Sequence, residues 1–165
     1  MHLTLENAND VAALKSEAAR LALENVLSAD ECAALDLEAV AAFWQSDAGQ
    51  QILANAANVR RELAFTAKFS PRELAEITCT KLEARLENEF VVVQGVADLV
   101  VFLAGEIWLV DFKTDEVRAG ELPSKIKVYA PQLKLYARAL AKIYSRPVSA
   151  CWLHFLSQKH SVLID

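Results

Sequence analysis

Two apolar runs joined by a two-residue turn constrain this chain more than any other feature. Phe90-Val91-Val92-Val93-Gln94 leads through Gly95 into Asp98-Leu99-Val100-Val101-Phe102-Leu103, and Glu106-Ile107-Trp108-Leu109-Val110-Asp111-Phe112-Lys113 returns after Ala104-Gly105. The runs are apolar on both faces, as in strands covered by helices on two sides. With Ala104 and Gly105 as the loop, Leu103 faces Glu106 and the register carries Asp98 directly opposite Asp111. A loop of odd length would slip the register and send the two aspartates to opposite faces. Alternation along the strand puts Asp111 and Lys113 on one face and Phe112 on the other.

Two carboxylates opposed in a buried hairpin repel each other, and burial raises the cost. A hard divalent cation resolves the conflict, because magnesium takes one or two carboxylates and shares its other positions with water and phosphate. Such a metal polarises a scissile phosphate and acidifies water, while a lysine two residues on can orient that water or stabilise developing charge. The pattern points to phosphodiester hydrolysis. Read in isolation, D-x-K is a strand-end ion pair and Asp98 a solvated carboxylate. The opposed aspartate, the apolar strand and the amphipathic helix that follows are the context that shifts this reading.

Around the hairpin the chain reads α, α, β, β, β, β, α, β, β, an α/β domain with a mixed sheet flanked by helices. Its 165 residues suit one domain, with a helical part over 1–58 and a mixed-sheet core over 59–165. In the first part, Ser28-Ala29-Asp30-Glu31 has capping-box form, Leu35, Val40, Phe43 and Trp44 roughly follow helical spacing, and Ser46-Asp47-Ala48-Gly49 reads as a break or as the start of a short helix ending near Ala57. A strand is expected over 60–69, stopped by Ser70-Pro71, with a helical turn to Ile77. A polar loop from Thr114 to about Lys127 precedes a helix from Pro131 to Tyr144, with Pro131 in its first turn. Strands are expected from Val148 to Leu156 and from Ser161 to Ile164.

Apolar residues make up 54% of the chain and charged residues 24%, a globular balance. No apolar run is long enough to span a membrane, and the start lacks the basic and apolar regions of a signal peptide, so a soluble, cytoplasmic protein with no membrane partner is expected. Cys32, Cys79 and Cys151 are scattered, which reads as reduced thiols rather than a zinc or iron–sulfur site. No G-x-x-x-x-G-K-[ST] loop occurs, so no ATP site is expected. The net charge of −5 is low for a protein that grips DNA alone. It suggests a larger machine that holds the substrate, or a local basic face.

Gln94-Gly95-Val96-Ala97-Asp98, Leu109-Val110-Asp111-Phe112-Lys113-Thr114-Asp115 and Tyr129-Ala130-Pro131-Gln132-Leu133-Lys134-Leu135-Tyr136 together resemble the RecB-type nuclease domain, the D-x-K branch of the PD-(D/E)xK superfamily with a restriction-endonuclease-like fold. The likeness is greatest to the C-terminal nuclease domain of AddA- and RecB-type helicase–nucleases. It is specific from about Val59 to Leu156. It implies Mg2+ or Mn2+ bound by Asp98, Asp111 and the carbonyl of Phe112, with Lys113 as the catalytic lysine. Gln132 and Tyr136 match the family's Q-x-x-x-Y motif; from the residues alone they read as helix–sheet packing with a satisfied amide. The family often has a histidine on its first helix near the metal. His2 is the candidate in that region, without the usual preceding glycine, and a lone terminal histidine otherwise reads as a bystander. Glu62 matches a family acidic position before a strand, where a salt bridge is the simpler reading. His154 and His160 are assigned nothing. The four cysteines that hold an iron–sulfur cluster in some relatives are not here.

The expected function is metal-dependent hydrolysis of DNA phosphodiester bonds: exonuclease-type processing of DNA ends in recombination and double-strand-break repair, on single strands delivered by a helicase in cis or in trans. The alternative is a non-catalytic DNA-binding or structural module that keeps the nuclease fold; the intact Asp98, Asp111 and Lys113 argue against it and the acidic charge for it. A hydrolase of small nucleotides would need a closed, base-recognising pocket, for which the chain shows no motif.

Overall fold

The computed structural model describes residues 7–78 and 89–164; His2 and Cys79 lie outside them. The hairpin closes as its turn dictates. Strands β2 (Val91–Phe102) and β3 (Ile107–Lys113) pair antiparallel, from Leu99 opposite Val110 to Phe102 opposite Ile107. The Leu103 amide donates to the Glu106 carbonyl at 2.9 Å, so the loop has two residues. The runs 90–94 and 98–103, expected as two strands, belong to one. Gly95 does not break β2, and a side chain there would lie 2.8 Å from the Phe65 ring and 2.9 Å from the Tyr136 hydroxyl. The glycine makes room for a neighbour rather than a turn.

The remaining strands are β1 (Val59–Phe69), β4 (Val148–Phe155) and β5 (His160–Leu163). The sheet has order β1-β2-β3-β4-β5, antiparallel except for the parallel pair β3–β4. That pair needs a crossover, and the long helix α6 (Leu122–Tyr144) supplies it. α6 starts nine residues before the expected Pro131. Pro123 fills the first-turn role, and Pro131 sits inside the helix, where it cannot donate to the carbonyl of Lys127. Lys127 is on the exposed side, where water can serve that carbonyl. The loop after β3 is correspondingly shorter, residues 114–121.

Among the described residues the N-terminal part forms four α-helices rather than two: α1 (Val11–Leu23), α2 (Ala29–Ala34), α3 (Leu37–Gln45) and α4 (Asp47–Leu53). The capping box forms at Ser28 and Glu31. Leu35, expected on the buried stripe, instead caps α2 in an extended conformation and is exposed. Asp36 follows it and caps α3 by accepting from the Ala39 amide at 2.9 Å. Helix α5 (Pro71–Thr78) follows β1.

Helices cover both faces of the sheet. On one side Leu133, Ala139 and Leu140 of α6 pack on Leu109, Leu153 and Phe155. On the other, Phe43, Trp44 and Ile52 pack on Leu99, Val101 and Val110. β1 and β2 change face together at one level. Val59 belongs to the second cluster, but Phe65, Ala67 and Phe69, also odd-numbered, belong to the first; on β2, Leu99 and Val101 belong to the second and Ala97 to the first. Strict alternation would keep each set together. The break falls at Glu62 and Asp98. That pair is missing from an otherwise continuous register running from Val59 opposite Val101 to Phe69 opposite Val91. Glu62 has φ of 49°, a left-handed conformation that turns the pleat over. The register is the same on both sides of the break, so neither strand gains a residue as in an ordinary bulge.

Candidate active site

Alternation along β3 sends Ile107 and Leu109 towards α6 and carries Asp111 and Lys113 to the same side. Continuing the β2–β3 register by one residue beyond Leu99–Val110 sets Asp98 across from Asp111. The ladder changes character there: a side-chain oxygen of Asp98, Oδ2, accepts the Phe112 amide at 2.8 Å. Asp98 thus stands at the hairpin end at the level where the pleat breaks.

Asp111 is 6% exposed. Its Oδ2 lies 2.6 Å from Lys113 Nζ, yet no donor is aligned with that oxygen to make a directed hydrogen bond; the contact is ionic. Burial raises the Asp111 pKa above the usual carboxylate range, the lysine opposes this and the Asp98 charge adds to it. Asp111 thus relies on one ammonium against burial and a neighbouring carboxylate, with no directed hydrogen bond to its buried oxygen. A hard cation would satisfy that need.

Helix α6 closes the site. Lys113 Nζ donates to Gln132 Oε1 at 3.3 Å, and Gln132 Nε2 donates to the Tyr136 hydroxyl at 3.2 Å. The Tyr136 ring meets Phe65 edge-on at 4.9 Å, in the space left by Gly95. The glycine of the G-x-x-D element therefore serves the tyrosine of Q-x-x-x-Y. Asp98, Asp111, Lys113, Gln132 and Tyr136 converge on one corner of the sheet. Phe112 points its ring away, edge-on to Phe43 at 4.8 Å, leaving its main chain at the site. His154 stands apart on the far face, wholly buried between Phe43 and Phe112. Glu62 lies across from Asp98 at the pleat break, exposed, on the adjoining strand.

Three further residues join this corner. Tyr129 places its ring 4.3 Å from Lys113 Nζ, and Asp115 accepts from both Tyr129 Oη and Lys125 Nζ. The signal for Lys125 and Tyr129 in the sequence is helical spacing: Lys125, Tyr129, Gln132 and Tyr136 recur at intervals of four, three and four, and so share one face of α6. A basic face, one of the two explanations offered for the acidic net charge, is also present. α6 carries Lys125, Lys127, Lys134, Arg138 and Lys142 and no carboxylate. Lys127, Lys134 and Arg138, spaced seven and four apart, form one exposed stripe.

A groove of about 570 Å³ lies elsewhere, among Ile77, Arg138, Val148, Cys151 and Ile164. Its thiol is pushed up to about 11 by burial and is protonated at neutral pH; no pair of carboxylates lines it. Among the described residues no three His, Cys, Asp or Glu side chains converge as a metal cluster, so at the hairpin end those residues offer two carboxylates and main chain. Among those residues, too, no helix is long and apolar enough to cross a membrane.

A family model for the PD-(D/E)XK nuclease superfamily matches residues 1–162. Among curated relatives, an ATP-dependent helicase/nuclease subunit of Geobacillus kaustophilus is 34% identical over 93% of this chain. The corresponding helicase/nuclease subunits of Bacillus mycoides and Bacillus cytotoxicus are 31% and 29% identical, each over 99% of it. The chain spans only 12–13% of the length of these relatives.

Proposed function

This chain belongs to the PD-(D/E)XK nuclease superfamily, and from that premise we propose that it hydrolyses DNA phosphodiester bonds with a divalent cation, Mg2+ or Mn2+, at the end of the β2–β3 hairpin. The observation that carries the reading is the buried Asp111, with an oxygen lacking a directed partner, beside the opposed Asp98. Asp98, Asp111 and the Phe112 carbonyl would hold the ion, with His2 as a further ligand. The ion supplies a Lewis acid for the scissile phosphate and makes water more acidic.

The chain's own residues do the rest. Lys113 sets its ammonium beside Asp111, where it can orient the attacking water and stabilise charge on the phosphate. Gln132 holds that ammonium and is itself held by Tyr136. Lys127, Lys134 and Arg138 lie roughly half a turn round α6 from Gln132 and Tyr136, so they would meet phosphates beyond the cleavage corner rather than at it. The substrate we propose is a DNA end, processed as a single strand by an exonuclease in recombination and double-strand-break repair. A helicase, in cis or in trans, would deliver it. The relatives carry both activities in their names and are about eight times longer than this chain.

The net charge of −5 favours a second reading, a non-catalytic structural or DNA-binding module that keeps the fold and leaves the grip on DNA to other parts. Incubation with labelled single- and double-stranded DNA, with Mg2+, Mn2+ or EDTA, separates the two. Cleavage that needs metal and disappears in Asp111→Ala establishes the nuclease. Metal-independent cleavage, or cleavage retained by Asp111→Ala, sinks the site assignment.

A further inference from the structure

Asp115 lies two residues beyond Lys113, in the loop that leaves β3. Its Oδ2 accepts from Lys125 Nζ at 2.8 Å and from the Tyr129 hydroxyl. Its main-chain oxygen accepts from Ser157 Oγ at 2.8 Å, and Ser157 Oγ accepts from the Val117 amide at 3.1 Å. Gln158 Nε2 donates to the Val117 carbonyl. The loop is thus tied to α6 on one side and to the turn after β4 on the other, and Asp115 is a fixed acceptor rather than a loose surface carboxylate. Lys125 first, then Tyr129, hold its pKa below the usual range. Asp115 in turn raises that of the Tyr129 hydroxyl, so the phenol remains a donor at neutral pH.

The anchored ring lies beside the lysine, with Lys113 Nζ 4.3 Å from its centroid and Phe155 on a neighbouring strand 6.3 Å from it. An aromatic face attracts a cation without neutralising it and without occupying its N–H donors. Those donors stay available to Asp111, Gln132 and substrate. A phenol bonded to a carboxylate is more electron-rich, which strengthens the attraction. Without it, the 2.6 Å contact would leave Asp111 as the main electrostatic partner of the ammonium.

We propose that Asp115 and Tyr129 are positioning residues: the carboxylate locks the phenol, and the ring face holds the Lys113 ammonium between Asp111 and Gln132, aimed at the reacting phosphate. The effect on rate rests on the nuclease reading; the clamp itself does not. The variants are Tyr129→Phe, which keeps the ring and loses the lock, Tyr129→Leu, which loses both, Asp115→Asn, and the Asp115→Asn/Tyr129→Phe double.

The first readout is the NMR shift of the Lys113 ε-methylene, assigned with Lys113→Arg. Wild type is expected to show it moved upfield by the ring current, with the displacement lost in Tyr129→Leu and reduced in the two lock variants. The second is single-turnover cleavage. Misplacing a reacting group costs up to about 100-fold, so Tyr129→Leu is expected near that loss. The lock variants should fall by roughly 10-fold in kcat with KM for DNA little changed, and the double should fall no further than either single. An unshifted wild-type resonance, or a wild-type kcat in Tyr129→Leu, overturns the proposal. A displaced resonance that responds to the variants, in a chain that never cleaves DNA, supports the clamp and overturns the nuclease reading instead.

Discussion

The two faces of one strand make opposite use of the same burial. Towards α6, β3 presents Asp111 and Lys113; towards the N-terminal helices it presents Val110 and Phe112. The α6 side collects charge: a buried carboxylate facing another, an ammonium shared among Asp111, Gln132 and Tyr129, and a helix with five cations and no anion. The opposite side is sealed by aromatic rings. Phe43 touches Trp44, Phe112 and His154, all edge-on within 5 Å. One face carries the charged groups proposed to hold a cation, and the other stiffens the strand that presents them. Substitutions on the first should act on chemistry, and substitutions on the second on stability.

The largest expected effect lies on the charged face. Asp98→Ala, Asp111→Ala and Lys113→Ala are each expected to lower cleavage by about 10³-fold or more, beyond the loss for removing one preorganised stabilising group. Asp111→Ala gives up the 2.6 Å ion pair with Lys113 but also relieves a carboxylate that burial penalises, so without metal it should melt less far below wild type than Phe43→Ala does. A gel assay and a thermal melt on the same samples check both halves, and a strongly lowered melting temperature would erase the contrast between the faces.

Phe43→Ala attacks the other face. Phe43 is 1% exposed, and deletion of a buried phenylalanine costs about 3–5 kcal/mol. Urea unfolding should show that loss, while cleavage per folded molecule at low temperature stays close to wild type.

His154 sharpens the comparison through pH. Burial, helped by the charge of His160, depresses its pKa to about 4. The unfolded chain, with an ordinary histidine near 6.5, therefore binds more protons between those values. The stabilisation is complete above about 6.5 and is lost as pH falls towards 4, by about 3 kcal/mol in all. Carboxylates titrate in the same window, so the measurement is a difference: urea unfolding of wild type and His154→Leu at pH 7, 5.5 and 4.5. The variant should lack that part of the pH slope; equal slopes would mean that His154 is not held neutral.

The smallest effect is expected at the rim of α6. Glu73 on α5 pairs with Lys142 at 2.7 Å, and the lysine holds its pKa down to about 2. Both side chains are over a third exposed, so solvent screening limits the pair. Glu73→Gln should cost under about 1 kcal/mol, read by the same unfolding curves at low salt.

What could be read from the residues followed the range of the forces involved. The register of β2 and β3 was legible because a two-residue turn and period-2 alternation are local rules; they gave the ladder from Phe102–Ile107 to Leu99–Val110, whose continuation sets Asp98 against Asp111. The start of α6 was not, because a proline reads as a helix start while Pro131 is carried inside a helix whose exposed side tolerates the lost bond. The unity of β2 was hidden because Gly95 looks like a break until Tyr136, forty-one residues on, is seen to need the space. Gln132 and Tyr136 alone looked like packing residues; their place beside Lys113 depends on how a crossover helix docks. Asp115 and Tyr129 stand in the motifs without a role, since their contact needs the loop over 114–121, which residues after β4 hold in place.

The shared pleat reversal at Glu62 and Asp98 also limits how this domain can vary in length. One residue added or removed within either strand alone would put the reversal out of step with its neighbour, and from there to the strand end apolar side chains would face water. Compensated changes in both strands, or changes beyond Phe69 and before Val91, leave the reversal matched. Within the hairpin, by contrast, the two-residue turn ties the spacing from Asp98 to Asp111 to the register.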